Sequence, residues 1–356
     1  MRLLMVAGLV LCCGCSQGFK EPTESIESLT ASQASAGISR YRGYSLKLSG
    51  LTSIDKYVAR QLAKSRSQEL FLDGLTSIDQ DTAKELAKYK SNPKNFVCHD
   101  FLYLDGLASI DIHVARELGR LRARLSLNGL TSITAEVARQ LANIRGNRLC
   151  LRGLTSIDEE VAAALASFSP RRFGGARDTP ILDLRGLISI DNSTAKELKN
   201  FRGTLILAGL ASIDKNVARE LRWFQGVTLN LDGLTTVDKD VAQELSHVSG
   251  AVSFERLTWI DKDLAKKLVA SQKTGISLNR VTSIERDVAQ ELAKFVGEYM
   301  QLRGLTTIDV NVAQHFTKFQ GAVLDLSGLT SIDEEVHEIL NSKPFIRLPE
   351  KYRDRK

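Results

Sequence analysis

The sequence predicts an α/β fold, a curved right-handed solenoid of about twelve strand–turn–helix units with a parallel sheet on its concave face. Three observations carry this. An anchor glycine recurs at Gly50, Gly74, Gly106, Gly129, Gly153, Gly186, Gly209, Gly233, Gly304 and Gly328, and Arg256 and Arg280 hold the same place in two further units. The spacing is 23 or 24 residues throughout, apart from steps of 32 and 33 after the second and fifth units. Around each anchor the pattern switches from Leu-x-Leu, which puts two leucines on one face of a strand, to Val-Ala-x-x-Leu-Ala, which puts an apolar stripe on one face of a helix. Such a unit buries its apolar side chains only against its neighbours, so the chain escapes the size limit of a closed core.

The elements follow in chain order. Arg2, the apolar run Leu3 to Leu11 and then Cys12-Cys13-Gly14-Cys15 read as a targeting segment over residues 1–15, with an apolar stretch too short to span a bilayer. It resembles a bacterial lipoprotein signal, which implies acylation of Cys15. Cys12 departs from the aliphatic residue that such signals carry three positions upstream. An ordinary secretory signal is the other reading. Residues 16–30 are polar and rich in Ser, Thr and Glu, and read as a flexible tether. Residues 31–43 read as a helical half-repeat that covers the first unit. The array proper runs over residues 44–341. Residues 342–356 read as a closing cap and basic tail, with Phe345 to Leu348 as a last strand that Pro349 ends.

Within the unit, Asp55, Asp79, Asp111, Asp158, Asp191, Asp214, Asp238, Asp261, Asp309 and Asp333 fall where a helix N-cap belongs. The preceding aliphatic residue, Ile54 in the first unit, fits a hydrophobic staple. Gly43, Gly146, Gly226, Gly297 and Gly321 stand where a left-handed residue would close a helix. The serines Ser53, Ser77, Ser109, Ser132, Ser156, Ser189 and Ser212 form a column of hydroxyls expected to bond the turns. Strands stack at about 4.8 Å and helices at about 10 Å, so the stack bends with its sheet inside.

In period, strand and helical return the array resembles the leucine-rich-repeat superfamily, in a bacterial variant with Gly-Leu-Thr-Ser-Ile-Asp at the turn. The asparagine that family carries after its strand is missing, and Gly50-Leu51 occupies the region. The resemblance implies a horseshoe with a binding role, no enzymatic activity and no cofactor.

Function then falls to the outward positions of the strands. Their middle residues are Lys47, Phe71, Tyr103, Ser126, Cys150, Asp183, Ile206, Asn230, Ser253, Ser277, Gln301 and Asp325, the one part of the unit without a repeating identity. Phe71, Phe101 and Tyr103 form a candidate aromatic patch, and Arg124, Arg148, Arg152 and Arg185 a candidate positive patch. The alternative is that Phe101 tucks under the neighbouring insertion and the arginines are only solvated. The insertions lie near Lys90 to Asp100 and Ser169 to Pro180, on one rim. The second contains Arg171, Arg172 and Arg177, a basic stretch suited to an anionic partner or to a tolerated loop.

Recurring aspartates and serines serve the unit, not catalysis. The five histidines are scattered, Cys98-His99-Asp100 suits no zinc spacing, and no catalytic or metal constellation is present. Cys98 and Cys150 sit two units apart, which predicts two free thiols. The 48 basic and 42 acidic residues are interspersed, so the net charge of +6 marks no nucleic-acid binder, least of all in an exported chain. The expected function is a non-enzymatic protein–protein interaction module, membrane-anchored in a bacterial cell envelope, or secreted if not lipidated. The alternatives are a binder of envelope glycan or another anionic polymer, and a purely structural surface protein.

Overall fold

The computed structural model describes residues 23–89, 100–169, 179–271 and 275–352. Short parallel strands alternate with short helices along the whole length. The strands are β1 (Ser45–Lys47), β2 (Glu69–Phe71), β3 (Phe101–Tyr103), β4 (Arg124–Ser126), β5 (Arg148–Cys150), β6 (Ile181–Asp183), β7 (Thr204–Ile206), β8 (Thr228–Asn230), β9 (Ala251–Ser253), β10 (Gly275–Ser277), β11 (Tyr299–Gln301), β12 (Val323–Asp325) and β13 (Ile346–Arg347). The helices are α1 (Ala31–Arg40), α2 (Lys56–Leu62), α3 (Gln80–Leu86), α4 (Ile112–Leu118), α5 (Ala135–Leu141), α6 (Glu159–Ala166), α7 (Asn192–Leu198), α8 (Lys215–Leu221), α9 (Lys239–Ser246), α10 (Lys262–Ser271), α11 (Arg286–Leu292), α12 (Val310–Phe316) and α13 (Glu334–Asn341). Each helix packs on the next, and each strand pairs with the next in sequence except at β9 and β10, which makes the chain an α/β solenoid.

The register places like residues side by side. Leu46, Leu70, Leu102, Leu125 and Leu149 align across β1–β5 and are fully buried. With Leu48-type and Leu51-type residues they form one continuous core under the helices. Nine of the ten predicted aspartates cap their helices, each accepting a backbone N–H such as that of Val114 on Asp111 at 2.8 Å. Asp333 is the exception and makes no cap bond. Thr134 caps α5 in place of an aspartate, and Glu285 leaves α11 uncapped.

The anchor glycines mark a steric limit. A β-carbon on Gly74 would press on the carbonyl oxygens of Ser49 and Leu51 in the preceding turn, the latter at 2.6 Å. Turns therefore stack backbone on backbone, and only glycine lets them approach so closely.

The structure corrects three expectations. Residues 23–30 are not tether: Thr23–Ser25 form a 3-10 turn, Ile26 and Leu29 pack on the core, and Glu24 pairs with Lys47 at 3.1 Å. The open end of the first unit exposes apolar side chains, and this segment covers them. Gly43, Gly146, Gly226 and Gly321 are not left-handed. The helices close instead by tightening into i→i−3 bonds, as from Ser65 N–H to the Leu62 carbonyl at 2.9 Å. The predicted serine column makes no side-chain hydrogen bonds among the described residues; Ser53 and its equivalents face solvent. The turn ladder is made one position before the anchor, where Asp73, Asp105, Asn128, Asp232 and Asn279 accept the backbone N–H of the next unit.

The sheet is parallel throughout, as expected. Among the described residues its hydrogen bonds run as two ladders, β1–β9 and β10–β13. The units of β9 and β10 are those whose anchors are Arg256 and Arg280, and β8 still pairs with β9 in the unit of Arg256. The core and the turns still run through the gap, with Thr282 N–H bonding the Thr258 carbonyl at 3.3 Å.

Candidate functional site

Alternation along three-residue strands aims the first and third side chains of each strand away from the core. Across β2 and β3 this brings Phe71, Phe101 and Tyr103 together. The Tyr103 ring lies 4.1 Å from Phe71 at 6° and 4.3 Å from Phe101 at 16°, so the three rings form one parallel stack. The stack is less exposed than a free patch: Phe101 is buried, and Phe71 and Tyr103 are half-buried. Burial first, and the nearby Glu69 carboxylate second, push the Tyr103 hydroxyl up to about 12, so it stays protonated and able to donate.

Beside it, β4–β6 carry the arginines. Arg148, Arg152 and Arg185 all converge on the carboxylate of Asp183, with N–O distances of 3.2, 3.0 and 2.9 Å. Asp183 is fully buried beneath them. Burial alone would raise its pKa; the Arg185 bonds and the charges of Arg152 and Arg185 outweigh that and hold it below the ordinary carboxylate range. Arg124 donates to the Asn147 amide oxygen at 2.9 Å. The cluster is thus neither a bare positive patch nor a set of free solvated side chains. Three guanidiniums meet one carboxylate, which fixes their positions and leaves that group net positive. Arg148 is the least satisfied of them, since its buried Nε has no hydrogen-bond partner.

Outward placement did not guarantee exposure. Ser126, Cys150, Asp183 and Asp325 are buried on this face, because the longer side chains around them fold across. Burial also pushes the Cys150 thiol up, which makes it a poor nucleophile. It is free, as expected; Cys98, Cys15, Arg171, Arg172 and Arg177 lie outside the described residues.

Two contributors were not singled out from sequence. Asp183 was read only as one outward residue among twelve, and its role as the hub of three arginines needs the register of β5 against β6. Asp105, which receives the Ser126 hydroxyl at 2.6 Å and the Asn128 side chain at 2.9 Å, ties the aromatic stack to the arginine strands. Its signal was present as the Asp or Asn that precedes the anchor in five units. Among the described residues there is no cluster of metal-ligating side chains, and no helix is long and apolar enough to cross a membrane.

No protein-family model and no curated protein matches the chain. Several solved structures resemble it in overall path. A leucine-rich-repeat protein of Leptospira interrogans is 17% identical, with 93% of this chain and 90% of that one covered and a TM-score of 0.45. A chain of the yeast Rad7–Elc1 complex is 15% identical, with coverages of 92% and 87% and a TM-score of 0.38. The Drosophila Toll–Spatzle complex gives 13%, 78% and 42%, with a TM-score of 0.47, so this chain spans less than half of that one. At these identities the activities and partners of those proteins do not transfer to this chain.

Proposed function

We propose that this chain is a non-catalytic binding module that takes a protein partner on the outward face of β2–β6, held at a bacterial envelope through a lipid on Cys15. The observation that supports the binding reading is the contrast within the unit. Frame positions repeat, outward positions vary, and on five neighbouring strands the varied residues gather into an aromatic stack beside a net-positive arginine cluster. Rigid rings and prepaid guanidinium positions lower the ordering cost of binding, which is the property of residues that dominate interfaces. A polyanion reading is favoured by one feature only, the excess of three arginines over the carboxylate they share.

Salt separates the two. Capture of an envelope partner through the rings persists as salt is raised, whereas polyanion binding falls steeply. Phe71→Ala with Tyr103→Ala in the full chain is expected to abolish that capture. An unchanged set of captured proteins contradicts the reading. The anchor is supported by Arg2, the apolar run to Leu11 and the cysteines that follow. Cys15→Ser should move the chain from the membrane fraction to the soluble one, and retention in the membrane removes the anchor from the proposal.

A further inference from the structure

A recess lies away from the strands, where α3, α4 and α5 end and the chain turns back toward the sheet. Its volume is about 520 Å³, within the usual range of about 300–1,000 Å³ for small-molecule pockets. Lys84, Lys88, Arg120, Arg122 and Arg145 line it, together with Tyr89 and one carboxylate, Glu117. Three consecutive units contribute, and none of these residues occupies an outward strand position.

Some of this charge serves the fold. Cations near a helix C-terminus are favourable. Lys88 pairs with Glu85 at 2.7 Å and Arg120 with Glu117 at 2.6 Å. That explanation stops short of Arg145, which lies four residues beyond the end of α5; Arg122, at the same place after α4, is already engaged in an interaction of its own. The same place in later units holds Gln225 and Ser249, so the frame does not require a cation there. Lys84 and Arg145 make no side-chain hydrogen bond or ion pair among the described residues. The helix-end carbonyls nearby are already bonded, for example that of Leu86 to Tyr89 N–H at 2.8 Å, so the recess offers a ligand donors more than acceptors.

We infer that this recess is a binding site for a small soluble ligand that carries two or more phosphate groups. Guanidinium forks match phosphate oxygens in pairs, and the lysines add point charge. The recess is open to solvent, where a single charge pair is worth little, so a monovalent carboxylate gains little there and a multivalent anion spanning several cations gains more. The site is independent of the face on β2–β6.

The test is calorimetric titration of the full chain with inorganic tripolyphosphate, and with inorganic phosphate for comparison. Tripolyphosphate is expected to bind one to one and about tenfold or more tighter than phosphate, with affinity falling as salt rises. Lys84→Ala with Arg145→Ala, which disturbs no internal pair, should weaken it about tenfold. Arg202→Ala with Lys318→Ala removes the same charge elsewhere and should change affinity less than about twofold. Absence of tripolyphosphate binding overturns the proposal. So does equal weakening by the two double variants, which would mark attraction to net charge alone.

Discussion

At Glu85 three effects meet on one side chain. It is buried on the helix side of the second unit and bonds Arg60 of the first unit at 3.1 Å and Lys88 of its own at 2.7 Å. The Arg60 and Lys88 bonds, in that order, hold its pKa down to about 2 from an ordinary 4.5. A depressed carboxyl stabilises the folded state above its unfolded pKa, and that contribution is lost as pH falls toward the folded value. Stability of the native chain should therefore drop between about pH 4.5 and 2 more steeply than in Glu85→Gln, measured by denaturant midpoints across that range. Parallel slopes would show that the pair does nothing for the fold. Single residues were legible in the sequence where their job is local. The capping aspartates act on N–H groups two or three residues ahead, so spacing alone reveals them. Asp183 acts on arginines from its own and the neighbouring strand, and its importance appears only when β5 and β6 are laid side by side.

Among the elements, strands of three residues and helices of seven are too short to persist alone. Their ends therefore matter as much as their middles. Removing the cap at Asp111→Ala should cost about 1 kcal/mol, while Asp333→Ala, where no bond is made, should cost at most a few tenths. Equal losses in thermal or denaturant unfolding would mean that the capping geometry is not what the aspartate column supplies. Element existence was plain in the sequence because two periods alternate without a break over twelve units. The helix C-termini were misread for a physical reason. A glycine after a helix suggests a left-handed residue, but in a stack it also answers to the chain beneath. A β-carbon on Gly250 would meet the Gly226 carbonyl at 2.6 Å and the Val227 carbonyl at 2.8 Å. The same ambiguity hid the covering role of residues 23–30, whose polar composition conceals Ile26 and Leu29.

For the whole molecule, the decisive relation is between each turn and the one before it. Among the described residues the ladder of strands breaks between the units anchored by Arg256 and Arg280. The solenoid and its repeat number were legible from period; the gap in the strand ladder was not. The candidate site was half legible: its rings and arginines could be named, but their stacking and their shared carboxylate come from register. Stability in such an array is a sum over neighbouring units. Gly209→Ala tests this directly, since its β-carbon would press on the Arg185 and Leu187 carbonyls, the latter at 2.6 Å. Hydrogen–deuterium exchange on the full-length variant should show lost amide protection centred on β6 and β7 and near-native protection in β1–β3 and β11–β12. Uniform loss along the chain would contradict a stack held together neighbour by neighbour.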